Sequence, residues 1–201
     1  LSPAREVAGA DVIVIGAPYW DLTFPAALKV YLEWASLNNV TFRYTDGGKQ
    51  EGLSRCADLI FITTGGGPIQ GKNFGYDYLK ALSSMLGIRR THCVTAENLD
   101  VQGNDVNAIL DRAKEALDKL VDTDQVAAQD LAELPAGQLR VGVLGAHIGE
   151  VSQAGQGIQQ GVGDLFGRRG PGQAKIDVGD AVNVLPGGQE DLHLILAHGY
   201  T

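Results

Sequence analysis

Three short stretches of this sequence carry residue types suited to gripping a small molecule. Ala17-Pro18-Tyr19-Trp20-Asp21-Leu22-Thr23-Phe24-Pro25 places three aromatic rings within six positions of a connection expected at the surface, where they call for a flat partner or an interface. Thr63 to Pro68 contains Gly65-Gly66-Gly67, and glycine lets backbone N–H groups approach a ring or an anion. The third stretch, His147-Ile148-Gly149-Glu150-Val151-Ser152-Gln153-Ala154-Gly155, lies between an apolar run and a helix-like segment, where hydroxyl and backbone donors could hold a phosphate. Each has a plainer reading that stays open: aromatics capping a core, glycines forming a flexible turn.

Other chemistries find no pattern. A GxxxxGK[ST] phosphate loop is missing, and His92, His147, His193 and His198 show neither HExxH nor Cys/His spacing. There is no GxSxG elbow either, so the sequence points to no metal and to no catalytic residue of its own. Cys56 and Cys93 sit beside apolar runs without paired spacing and read as small core residues. With no charged-then-apolar leader before Leu1, a reducing cytoplasm is the expectation.

Sixteen Lys and Arg against 24 Asp and Glu give a net charge of −8, which does not suit a nucleic-acid partner. Hydrophobic residues make up 44% of the 201, enough for one domain with a core, and no run approaches a membrane span. Gly is overrepresented at 27 residues, clustered beside the apolar runs, and the only Met is Met85.

The elements that must position the three stretches follow from patterning. Asp11–Gly16, Asp58–Thr63, His92–Ala96 and Leu139–Leu144 read as buried strands, with a short one at Lys175–Val178. Pro25 opens a helix running to about Asn38-Asn39, Tyr76–Leu86 is a helix closed by Gly87, and Asp105–Leu120 is strongly amphipathic. Gln189–Ala197 reads as an apolar-faced helix, and Val40–Tyr44 before Asp46-Gly47-Gly48 as an excursion or edge hairpin. Strands alternating with helices imply an α/β fold with a doubly wound parallel sheet and helices on both faces. Ligands then bind beyond the carboxyl ends of the strands, where the three stretches lie.

The blocks ADVIVIGAPYWDLTFPAALKVYLE, VTFRYTDGG, DLIFITTGGG, NFGYDYLKALSSMLGI and TAENLDVQGNDV resemble the flavodoxin-like NAD(P)H:quinone reductase and FMN-dependent azoreductase family over about residues 1–120. Members of that family begin with a strand and a phosphate-binding loop, then a helix and a second strand. The segment LRVGVLGAHIGEVSQAGQGIQQGVGDLFGRRGPGQAKIDVGDAVNVLP looks like that missing beginning, placed last. The expectation is a single flavodoxin-like domain over 1–201 in circularly permuted order. In it, 1–120 is the family's middle and C-terminal part, 121–138 a connection, and 139–201 the N-terminal part. The absence of an initiator Met fits a chain that starts in the family's middle.

The resemblance implies FMN as cofactor, with NADH or NADPH as donor. Two electrons would pass to a quinone or azo compound by a ping-pong mechanism, the flavin carrying the chemistry. Carried over residue by residue, Ser152 and Gln153 with His147 nearby would contact the phosphate. Pro18, Tyr19, Trp20, Asp21 and Phe24 would flank the ring, and Thr64, Gly65, Gly66 and Gly67 would face its pyrimidine edge. Ala154 stands where the family commonly has another hydroxyl, and Gly65 where some members carry Arg, which implies fewer contacts. A homodimer is also implied, with the second subunit closing the pocket and giving Tyr44, Asn73, Phe74 and Tyr76 a substrate-side role. The alternatives are an FMN-binding electron carrier without NAD(P)H turnover, and a flavin-free interaction module.

Overall fold

Val12-Ile13-Val14-Ile15 and Leu59-Ile60-Phe61-Ile62 are apolar at every position, as strands covered on both faces must be, and all eight residues are buried. The computed structural model describes residues 3–122, 140–147, 176–179 and 191–199, with side chains described through residue 120. In chain order the elements are α1 (Pro3–Gly9), β1 (Val12–Pro18), α2 (Ala26–Ala35), β2 (Phe42–Tyr44), β3 (Gln50–Gly52), β4 (Asp58–Thr64), α3 (Phe74–Leu86), β5 (Arg90–Ala96), α4 (Val106–Asp122), β6 (Arg140–His147), β7 (Ile176–Gly179) and β8 (Asp191–Gly199). The main sheet has the order β5-β4-β1-β6-β8-β7. Its first four strands are parallel, and β8 runs antiparallel to both of its neighbours.

Two of these elements differ from the pattern reading. The expected helix over Gln189–Ala197 is the strand β8, because Leu192, Leu194 and Leu196 recur every second residue, the strand period. Lying between β6 and β7, β8 also makes the sheet mixed rather than parallel throughout. The short helix α1 was not expected; its signals are Pro3 in the first turn, Glu6 there too, and Ala4 and Val7 spaced to share a buried face.

The core lies where α1, α2 and α3 cover one face of the sheet. Val7, Leu28, Leu32, Leu79, Leu82 and Leu86 meet Ile13, Ile15, Leu59 and Phe61 there. Burying each large side chain is worth about 1.5–3 kcal/mol. The alternate residues Val12, Val14, Ile60 and Ile62 are buried on the other face, and α4 packs against β5 through a contact set that leaves Leu117 buried. No described helix is long and apolar enough to cross a membrane.

The amino end of the sheet is braced by charge. Asp58, fully buried, accepts from Arg90 Nε and Nη2 at 2.8 Å each, and His92 Nε2 lies 2.9 Å from the same carboxylate. These bonds tie the first residues of β4 and β5. Burial alone would raise the Asp58 carboxyl, but the hydrogen bonds from Arg90 and His92 outweigh it and hold it below its ordinary 3.8. Because the folded value is depressed, this stabilisation is complete above the ordinary carboxylate range and is lost as pH falls through the folded value. Arg90→Ala is expected to cost about 1.5–2 kcal/mol at neutral pH, the lower part of the range for charged hydrogen bonds, because water screens this half-exposed guanidinium. It should also flatten the acid limb of stability, read from urea midpoints between neutral pH and about pH 2.

Candidate functional site

Beyond the carboxyl ends of β1, β4 and β5, three loops are joined to one another by backbone hydrogen bonds. Tyr19 N–H donates to the Thr64 carbonyl at 2.7 Å, and Gly65 N–H to the Ala96 carbonyl at 2.8 Å, so the strand pairing continues past the sheet. The loop after β5 then accepts the glycine loop as a partner. Asn98, Leu99 and Asp100 N–H groups donate to the Gly67, Gly65 and Gly66 carbonyls at 3.3, 3.2 and 2.9 Å. Glu97 adds a side-chain tie, accepting from Ile69 N–H at 2.8 Å through one oxygen and from the Thr95 hydroxyl at 3.1 Å through the other.

This pattern uses the carbonyls of Gly65, Gly66 and Gly67 and leaves the N–H groups of Gly66 and Gly67 without an acceptor among the described residues. A Cβ on Gly66 would collide with the Asp100 carboxylate, whereas one on Gly67 would meet nothing within 4 Å. Two backbone donors therefore stay uncommitted in a loop whose Gly66 has the Asp100 carboxylate against it. The sequence left a ring edge and an anion open as partners of this loop, and the Asp100 carboxylate is unfavourable to the anion.

The loop after β1 holds a strained shape. Asp21 and Leu22 both have positive φ, 46° and 67°, between Trp20 and Thr23, which exchange backbone hydrogen bonds of 3.1 and 2.8 Å. Left-handed backbone is costly for Leu, about 1–3 kcal/mol, and it persists here because the surroundings enforce it. Phe74 N–H donates to the Leu22 carbonyl at 3.1 Å, and the Tyr19 hydroxyl to the Lys72 carbonyl at 3.1 Å. Trp20, Leu22 and Phe74 are left exposed at this end of the molecule.

The expected site residues separate into groups. Pro18, Tyr19, Trp20, Asp21, Thr64, Gly65, Gly66 and Gly67 all lie in or beside these joined loops. Phe24 does not line the surface: it is buried, edge-to-face with Phe61 and Tyr78, because the turn at Asp21-Leu22 directs the chain back into the core. Asn73 caps α3, accepting from Tyr76 N–H at 3.0 Å, and Phe74 starts the helix at the rim. The Tyr76 hydroxyl is spent on the Thr91 carbonyl at 3.0 Å, near the start of β5 and away from the loops.

Tyr44 is farther still. Its hairpin, β2 with β3, docks on the last turn of α3 through Gln50 Nε2 to the Met85 carbonyl at 2.9 Å and through Gly52 seated against Gly87. The 13 residues of α3 put that end about 20 Å from the loops of the same chain. His147 ends β6 at the carboxyl end of the sheet, while Ser152 and Gln153 lie outside the described residues.

Sequence reasoning missed Leu22, Glu97 and Asp100 as parts of this site. Glu97 and Asp100 sit in a block quoted for its resemblance, but only the hydrogen bonds to the glycine loop give them a role. Neither cysteine adds chemistry: burial pushes the Cys93 thiol up to about 11 and that of Cys56 to about 12, so both stay protonated at neutral pH.

The family model described as flavodoxin-like fold matches residues 2–121. The chain belongs to this flavodoxin-like family. Among curated proteins it is 38% identical over 124 residues to FMN-dependent NADH:quinone oxidoreductase 2 of Clostridium acetobutylicum, covering 57% of this chain and 62% of that one. To the FMN-dependent NADH:quinone oxidoreductase of Clostridium beijerinckii it is 37% identical over 125 residues, covering 61% of each. The chain thus spans about six-tenths of the length of these curated relatives. An azoreductase from Bacillus anthracis strain Sterne superposes with a TM-score of 0.52 at 23% identity, covering 60% of each chain. An FMN-dependent NADH-azoreductase from Bacillus anthracis strain Ames Ancestor, solved with FMN, superposes at 0.51 with 24% identity over 65% of this chain and 60% of that one. At these identities the two structures establish the family's fold for this chain and nothing finer.

The close contacts of the loops separate the glycines experimentally. A Cβ at Gly75 would meet the Phe24 ring at 2.8 Å and the Thr23 backbone at 3.3 Å. Gly75→Ala should therefore lower stability by about 1–3 kcal/mol by wedging the first loop off α3, while Gly67→Ala, in open space, should leave the urea midpoint of the ligand-free protein nearly unchanged.

Proposed function

We propose that this chain is an FMN-dependent oxidoreductase that passes two electrons from NADH or NADPH to a quinone or an azo compound in a ping-pong cycle. The observation that carries the proposal is the pair of N–H groups at Gly66 and Gly67 without an acceptor among the described residues, in a loop where open space lies over Gly67 and the Asp100 carboxylate beside Gly66 disfavours a phosphate. The names of the curated relatives, FMN-dependent NADH:quinone oxidoreductases, support its FMN, NADH and quinone parts. The group fits the residues present: two backbone donors suit the carbonyl and nitrogen acceptors of a pyrimidine edge, and Tyr19 and Trp20 offer aromatic surface beside them.

When bound, FMN supplies the two-electron chemistry, since no protein nucleophile is needed. The chain's own residues bind and orient. Gly66 and Gly67 N–H groups hold the ring edge. Trp20, Leu22 and Phe74 form an apolar rim that sheds water and takes a flat acceptor. His147, Ser152 and Gln153 are assigned to the phosphate by the resemblance, with support from the place of β6 beside β1. The same parallel pairing supports our reading of 140–147 as the family's first strand, in permuted order within one domain, whereas the antiparallel β8 between β6 and β7 departs from that order. Free thiols at Cys56 and Cys93 suit a cytoplasmic setting.

The test is FMN titration followed by addition of each nicotinamide with a quinone or azo acceptor. Quenching of flavin fluorescence on binding and loss of the flavin's visible absorbance within a catalytic time are the expected results. Binding without reduction by either nicotinamide would turn the assignment to an electron carrier, and no binding would turn it to an interaction module.

The homodimer is part of the same proposal. Val30, Trp34 and Leu37 form an exposed apolar stripe along and just past α2, at helical spacing. α2 starts directly from the loop bearing Trp20 and Leu22, so a second copy on that stripe stands beside the site's rim, and Tyr44 can act only toward the partner's pocket. Trp34→Glu should shift the protein from dimer to monomer in sedimentation velocity while leaving the far-ultraviolet circular dichroism unchanged.

A further inference from the structure

The carboxylate of Asp100 stands against the backbone of Gly66. Its backbone N–H is fixed to the Gly66 carbonyl at 2.9 Å, and its side chain occupies the position that a Cβ on Gly66 would take. No salt bridge is made to it by any cation among the described residues. Among the described residues, then, a carboxylate without a cationic partner lies against Gly66, in the loop whose Gly66 and Gly67 N–H groups have no acceptor there.

We propose that Asp100 sets the reduction potential of the bound flavin, holding it low by repelling the charge that the ring gains on reduction. The inference rests on the reading of the glycine loop as the flavin's pyrimidine-edge site. In balance, the neutral oxidised ring takes up two electrons and one proton and so ends one negative charge richer. At the edge assigned to the loop donors that charge would be disfavoured by the carboxylate and favoured by the two N–H groups. Asp100 and the glycine donors act in opposition on the same atoms, which makes Asp100 a potential-setting residue rather than a catalytic one. A strongly reducing flavin passes electrons readily to acceptors of low potential, so the carboxylate also widens the range of acceptors.

The experiment compares wild type, Asp100→Asn and Asp100→Ser with Asp111→Asn, which removes the same charge from an exposed site on α4 where Asp111 pairs with Lys114. Each variant is loaded with FMN, its affinity for oxidised FMN is measured by fluorescence quenching, and its midpoint potential by dithionite titration against a reference dye. Thermal melting checks that each is folded. Both Asp100 variants should bind reduced FMN about tenfold more tightly relative to oxidised FMN, a rise of about 30 mV for a two-electron couple, with Asp111→Asn close to wild type. Potentials that are unchanged, or that move equally in Asp111→Asn, would overturn the role of Asp100. Failure of wild type to quench FMN would instead overturn the flavin site itself.

Discussion

Everything at the candidate site depends on the carboxyl end of β4. That strand is paired on both sides, to β1 and to β5, and the pairing does not stop where the strand stops. The Thr64 carbonyl takes the Tyr19 N–H and the next residue, Gly65, gives its N–H to Ala96, so three loops inherit the register of three strands. A glycine-rich loop would ordinarily be mobile. Here each of the three glycine carbonyls has a partner in the 98–100 segment, and the conformational entropy that glycine adds to the unfolded chain is opposed by bonds on both flanks. The consequence is that all three glycine carbonyls are committed while the N–H groups of Gly66 and Gly67 keep no acceptor among the described residues.

The two ends of the sheet use charge in contrary ways. At the amino end Asp58 is buried and fully paired with Arg90 and His92, and Arg55 bonds Asp11 at 2.7 Å, so charge there serves cohesion. At the carboxyl end Asp100 is exposed, and the donors beside it are backbone groups without formal charge. The left-handed Asp21-Leu22 turn sits at the carboxyl end, held by Thr23, Phe74 and the packing of Phe24 on Gly75. Stability is supplied far from the site and spent on the shape of the loops, an arrangement expected where a ligand must be met by preorganised groups.

How much of this was legible in the sequence follows from what each residue's pattern encodes. The runs DVIVIG and DLIFIT announce strands buried on both faces because every residue is apolar, and Gly87 announces the end of α3 because the chain there needs positive φ, here 86°. The loops after β1 and β4 stood out through aromatic and glycine content. What composition does not encode is where a side chain goes once its loop is bent. Phe24 counted with Tyr19 and Trp20 as a surface aromatic until the turn returned it to the core, and Tyr44, close in sequence to α2, lies at the other end of α3. Asp100 and Glu97 were ordinary acidic residues in a polar stretch, and only tertiary pairing places them on the glycine loop. In β8, Leu-rich composition suggested a helix while the alternation of Leu192, Leu194 and Leu196 was the decisive signal.

The central claim is that Gly66 and Gly67 hold the flavin's edge through their N–H groups, and amide NMR reads those groups directly. In protein labelled with nitrogen-15, both amide protons should exchange with water in the free state, then move downfield and become protected on addition of FMN, as unpaired donors do when they gain an acceptor. The N–H of Gly65, already committed to Ala96, should change little. Gly66 and Gly67 resonances that stay fixed and unprotected at saturating FMN, while signals elsewhere shift, would contradict the account.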